Sequence, residues 1–71
     1  MKNRELNLQI GMRIQESRIG IGKTQEEVAE YLGLTSKSVS NIETGYTMCK
    51  PVYLIMLSEY LGVSIDYLLK G

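Results

Sequence analysis

Glycine sets the scale on which this chain can fold. Gly20, Gly22, Gly33, Gly45 and Gly62 break the 71 residues into short stretches, and glycine after a periodic apolar run is the usual place for a helix to end in a left-handed turn. Between these stops the apolar residues recur at helical spacing. Leu6, Ile10 and Ile14 fall every fourth residue in a first stretch from about Leu6 to Ile19, with Asn3 or Asn7 available to cap it. Thr24 opens the second stretch with Glu27 at capping-box spacing, Glu26 and Glu27 complement the helix dipole, and Val28, Ala29 and Leu32 form its apolar face before Gly33. Thr35 or Ser36 caps the third, where Val39 and Ile42 point inward, Ser36, Lys37, Ser40 and Asn41 lie on the other sides, and Gly45 marks the end. A loop from Tyr46 to Lys50 leads to Pro51, suited to the first turn of a fourth helix carrying Leu54, Leu57, Ser58 and Leu61 up to Gly62. Ser64 caps a last short helix with Ile65, Leu68 and Leu69. No strand-like alternation of useful length occurs. The expectation is an all-α single domain of five short helices over residues 1–71.

Several function classes are excluded by what is missing. The chain has no histidine and one cysteine, Cys49, which leaves neither a zinc ligand set nor a histidine-based nucleophile relay. The run Gly20-Ile21-Gly22-Lys23-Thr24 lacks the spacing of a phosphate loop and reads as a helix-ending turn. A lone thiol forms no internal disulfide. No signal peptide follows Met1, and no run approaches the ~20 apolar residues of a membrane span. The expectation is a soluble cytoplasmic protein with no cofactor, metal, small-molecule ligand or enzymatic activity. Eight Lys plus Arg balance eight Asp plus Glu, for zero net charge. That would argue against nucleic acid, whose ligands are usually basic, unless the charges segregate. Glu26, Glu27, Glu30 and Glu59 can lie on one side, and Lys23, Lys37 and Lys50 on another.

The segment Gln25–Ile42 has a geometry of its own. Two helices crossing steeply over a short turn need a small residue where their backbones approach, which Ala29 supplies, and a corner that accepts positive φ, which Gly33 supplies. Val28, Leu32, Leu34, Val39 and Ile42 seal the wedge and leave the outer face of the second helix free for a major groove. In its order of motifs the chain resembles the phage repressor and Cro type of helix-turn-helix domain, the Xre family. The match runs from about Ile10 to Leu69 through Ile10-Gly11-x-Arg13-Ile14, Arg18, Thr24-Gln25-Glu26-Glu27-Val28-Ala29, Ser38-Val39-Ser40-Asn41-Ile42-Glu43-x-Gly45 and Leu61-Gly62-Val63-Ser64-Ile65-Asp66-Tyr67-Leu68-Leu69.

The resemblance implies a lambda-repressor-like fold with its helix-turn-helix at the second and third helices. It also implies sequence-specific binding of double-stranded DNA by a bacterial or phage-encoded, nucleoid-associated transcriptional regulator of repressor kind. Base contacts fall to Ser36, Lys37 and Asn41, with Ser38 and Ser40 at the edges; Lys37 suits guanine and Asn41 adenine. Phosphate contacts fall to Lys23 and Gln25 at the start of the second helix and to Thr44, Tyr46, Thr47 and Lys50 in the following loop. Arg18 and Glu43 match a partly buried salt bridge, read as structural. The loop holds one basic residue where relatives carry several, which predicts weak non-specific binding.

Val52, Tyr53, Ile55, Met56 and Tyr60 exceed the fourth helix's inward stripe. They have two readings, a broad core contact or a twofold patch made of Val52, Ile55, Met56, Tyr60, Ile65 and Tyr67 that forms a homodimer, as in family relatives. Cys49 and Met48 read as ordinary loop residues. Taken as complete, the chain has no effector domain after Gly71, so control is expected from concentration, a partner or competition at the operator. The alternative to a stand-alone regulator is an antitoxin-like DNA-binding protein whose main role is to bind another protein.

Overall fold

The chain forms five helices, four of them opened by a side-chain cap: α1 (Arg4–Gly20), α2 (Gln25–Leu32), α3 (Ser36–Glu43), α4 (Pro51–Leu61) and α5 (Ile65–Lys70). The computed structural model describes residues 3–71, so the first two residues of the expected 1–71 domain lie outside the described residues. No strand occurs among the described residues.

Asn3, not Asn7, caps α1, its Oδ1 accepting from the Leu6 N–H at 3.2 Å, and the helix therefore starts ahead of Leu6. At α2 the capping box is complete: the Glu27 N–H donates to Thr24 Oγ1 at 3.1 Å and the Thr24 N–H donates to the Glu27 carboxylate at 2.9 Å. Gly33 takes φ 75° and turns the chain, after which the Leu34 N–H donates to the Ala29 carbonyl at 2.9 Å. Thr35, not Ser36, caps α3 through the Ser38 N–H at 3.1 Å. α3 stops at Glu43, and Gly45 makes its left-handed turn just beyond. Pro51 begins α4, and Ser64 caps α5 through the Tyr67 N–H at 3.0 Å.

The core gathers Ile14, Val28, Ala29, Leu32, Val39, Ile42, Leu54, Leu57, Leu61 and Leu68, with Cys49 among them. The inward stripe of α1 is Gly11, Ile14 and Arg18, and Leu6 is exposed. The reason is length. α1 has 17 residues against 8 in α2, so at ~1.5 Å per residue its first turn overhangs the core. Ile65 and Leu69 are likewise exposed, and Leu68 is the one buried residue of α5. Cys49 belongs to the core and is no ordinary loop thiol; burial raises its pKa to about 11.

α3 packs on both α1 and α2, and α5 on α1 and α4. The α1–α3 crossing is very close. A Cβ at Gly11 would collide with the Ile42 carbonyl and would lie 2.6 Å from the Glu43 carbonyl oxygen. This crossing and the Gly33 corner leave one long side of α3 facing outward.

Candidate nucleic-acid interface

α3 carries one acidic residue, and the fold removes it from the surface. Glu43 is buried and held side-on by Arg18, with Nε donating to Oε2 at 2.7 Å and Nη2 to Oε1 at 3.1 Å. Arg18 Nη1 also donates to the Lys23 carbonyl at 2.8 Å, tying down the turn between α1 and α2. Gln25 Nε2 donates to Glu43 Oε1 at 3.0 Å. One carboxylate therefore joins α1, the start of α2 and the end of α3, and no negative charge is left on the outer face of α3.

That face is grooved on both sides of Asn41. One hollow of about 370 Å³ is lined by Lys37, Asn41, Thr44 and Tyr46, and it also takes in Arg4 from the first turn of α1. A second, of about 230 Å³, is lined by the polar residues Ser38, Asn41, Thr47 and Lys50 together with Leu34, Ile42, Met48 and Tyr53. No carboxylate lines either hollow. Glu26, Glu27, Glu30 and Glu59 are exposed elsewhere. Zero net charge thus coexists with a face whose charged groups are Arg4, Lys37 and Lys50.

The residues expected to touch DNA divide into two groups. Lys37, Ser38, Asn41, Thr44, Tyr46, Thr47 and Lys50 come together around the two hollows. Ser36, Ser40, Lys23 and Gln25 lie outside them and are half-buried. The Ser38 hydroxyl lies 3.1 Å from the Thr35 hydroxyl, so part of its bonding capacity serves the cap of α3. The Thr44 hydroxyl donates to the Ser40 carbonyl at 2.9 Å, which leaves it an acceptor toward any further partner. The spacing of the motifs gives no reason to place Arg4 here. Its position comes from the overhang of α1.

Of the residues expected at a dimer contact, Val52 is 55% exposed and Ile55 52%, and Ile65 and Tyr67 are also exposed. Met56 and Tyr60 are half-buried and pack on the core. The Tyr60 ring lies against Tyr31 of α2, with centroids 4.5 Å apart. No group of residues suited to hold a metal occurs among the described residues. No helix among them is long and apolar enough to cross a membrane.

A small residue at the crossing of α2 and α3, a left-handed corner between them and an acid-free outer face on α3 define a helix-turn-helix DNA-binding domain. The helix-turn-helix family model matches residues 14–68, and the chain belongs to the Cro/C1-type helix-turn-helix family. It is 38% identical over 61 residues to the SPbeta prophage-derived HTH-type transcriptional regulator YonR of Bacillus subtilis, covering 86% of this chain and 56% of that protein. It is 39% identical over 62 residues to the HTH-type transcriptional regulator ImmR of the same organism, covering 87% and 49%. The chain thus spans about half the length of these curated relatives. Among solved structures it resembles the P22 c2 repressor in complex with a synthetic operator (TM-score 0.81, 32% identity, 87% of this chain and 94% of that one). It also resembles the restriction-modification controller protein C.AhdI from Aeromonas hydrophila (TM-score 0.79, 27% identity, 87% and 94%).

Proposed function

We propose that this domain binds double-stranded DNA in a sequence-specific manner by laying α3 in the major groove, as the reading head of a repressor. The observation that carries the reading is the outer face of α3. Asn41 stands between two hollows whose charged side chains are all cationic, while the helix's own acid is neutralised inside. Asn41 has the donor and acceptor pair that matches adenine N7 and N6, and Lys37 suits guanine O6 and N7. Ser36, Ser38 and Ser40 supply shorter polar contacts at the edges. Thr44, Tyr46, Thr47 and Lys50 flank the helix where the DNA backbone would run, and Lys23 and Gln25 sit at the start of α2, whose N-terminal N–H groups favour a phosphate. The P22 c2 repressor, similar over most of its length, was solved on an operator, which supports the same docking.

The domain acts as a homodimer in this reading. Val52, Ile55, Ile65 and Tyr67 give it an exposed apolar surface, with Met56 and Tyr60 at its margin. Two α3 helices related by a twofold axis would read half-sites about one DNA turn apart.

The test is selection of bound duplexes from a random pool at physiological salt, followed by Asn41→Ala on the selected site. The variant is expected to lose about 1–3 kcal/mol and to relax preference at one base pair. A pool that yields no enriched sequence ends the reading, and so does a variant that keeps both affinity and preference.

A further inference from the structure

The hollow beside Asn41 is completed by a residue from the far end of the chain's first helix. Arg4 lines it together with Lys37, Thr44 and Tyr46. A neighbouring hollow of about 540 Å³ is lined by Arg4, Asn7, Gly45 and Tyr46. Arg4 and Tyr46 are thus shared walls of two adjoining hollows at the edge of α3. The placement is built in. A Cβ at Gly45 would lie 2.7 Å from Leu8 Cα, so the α3–α4 loop is pressed against α1 one turn after Arg4. Arg4 is exposed and forms no ion pair among the described residues. The Thr44 proton is spent on the Ser40 carbonyl, so the residues lining the first hollow that have side-chain donors to offer are Arg4, Lys37, Asn41 and Tyr46. Two cations and neutral donors with no acid make a seat for an anion, and a planar guanidinium engages phosphate oxygens two at a time.

We propose that Arg4 is a DNA phosphate ligand, forming with Tyr46 a clamp on the backbone strand beside Asn41. The inference rests on α3 reading the groove, and it extends the contact surface to a helix outside the helix-turn-helix. Arg4 lies off α3, beyond the side chains that face base edges, so its contact holds the duplex in register and carries no sequence preference of its own.

The experiment compares the full chain with Arg4→Ala and Arg4→Lys on a selected duplex and on a scrambled one, each across a salt series. Arg4→Ala is expected to weaken both duplexes by the same factor and to lower the slope of log K against log[salt] by about 0.9, the value for one phosphate. The wild-type advantage over Arg4→Ala then shrinks about 3.5-fold between roughly 50 and 200 mM salt. Arg4→Lys restores the slope, since a point charge still neutralises the phosphate, but not the full affinity. Melting curves of both variants should overlay the wild type, because the Arg4 side chain is exposed. An unchanged slope with wild-type affinity overturns the assignment, and so does a loss confined to the selected duplex, which would make Arg4 a base reader. A wild-type chain that binds neither duplex defeats the α3 reading itself, a result distinct from normal wild-type binding with a silent Arg4→Ala.

Discussion

Arg18 and Glu43 meet side-on inside the domain, with Arg18 Nε 2.7 Å from Glu43 Oε2 and the two side chains 10% and 1% exposed. A buried pair of this kind is weak evidence for stability taken whole, but removing one member strands the other charge. Arg18→Met and Glu43→Gln are each expected to cost about 3–5 kcal/mol, a large part of the total for so small a domain. The double variant Arg18→Met/Glu43→Gln should cost less than the sum of the two single changes. Urea unfolding of the four proteins measures this. Simple additivity would mean that the two groups do not act as a unit.

Two glycines test whether crowding or backbone conformation matters more here. Gly11 lies within α1, where alanine would ordinarily gain about 1 kcal/mol of helix propensity. Against that, a new Cβ meets the Ile42 and Glu43 carbonyls, which belong to backbone and cannot swing aside. Overpacking of this sort costs about 1–3 kcal/mol, so Gly11→Ala should destabilise on balance. Gly33 has φ +75° and open space around its Cα, so Gly33→Ala pays only the left-handed strain of about 1–2 kcal/mol. Denaturation midpoints should show Gly11→Ala losing stability despite its helical context. A gain there would mean that α1 and α3 lie further apart.

Much of this architecture is legible in the sequence, because caps and stops are local. Thr24 with Glu27, Gly33, Pro51 and Ser64 act within a turn of their own position and fell where the spacing put them. The inward positions Ile14, Val28, Ala29, Leu32, Val39, Ile42, Leu54, Leu57, Leu61 and Leu68 followed from periodicity. What escaped depends on distant parts of the chain. Leu6 keeps the period of α1 but is exposed and lies outside the core cluster. Cys49 looks like a loop residue and is drawn into the core by the chain's path from α3 to α4. Arg4 carries no motif at all, and the overhang of α1 together with the contact of Gly45 with Leu8 brings it beside Asn41. The ring pair of Tyr31 and Tyr60 is also a product of tertiary packing, and it draws Tyr60 inward from the surface expected to form a dimer.

Burial has a chemical consequence at Cys49. Its thiol is shifted up to about 11 by loss of solvent, so at pH 8 roughly one molecule in a thousand carries the thiolate that reacts. A thiol reagent such as DTNB should therefore label the native protein only as fast as the domain opens, and urea should restore rapid labelling. Prompt stoichiometric labelling in native buffer would contradict a core position.

The α2 capping box should show in the pH dependence of stability. The Thr24 backbone N–H donates to the Glu27 carboxylate and holds its pKa below the ordinary 4.5, with smaller help from Lys23 and the Thr24 hydroxyl. A depressed carboxylate stabilises the fold fully above the unfolded-state value and loses that contribution as pH falls through the lower folded value. The Tm of wild type should thus exceed that of Glu27→Ala at pH 7, and the gap should close below pH 4.5. A gap independent of pH would show that the carboxylate charge plays no part in the cap.

The exposed surface of α4 bears on how many copies bind one operator. Val52 and Ile55 are more than half exposed, while Leu54, Leu57 and Leu61 take the inward positions of the same helix. Ile55→Glu therefore changes a surface side chain without touching the core, and its effect on unfolding should stay within about 0.5 kcal/mol. A twofold interface holds the new charge on both of its sides, so the penalty to association counts twice per dimer. Sedimentation should show the wild type as a dimer, free or on a two-half-site duplex, and Ile55→Glu as a monomer. On that duplex the variant should lose most of its affinity, while its binding to an isolated half-site stays unchanged. If instead one wild-type protomer saturates the selected duplex, and Ile55→Glu binds it equally well, the apolar surface of α4 has no part in DNA recognition.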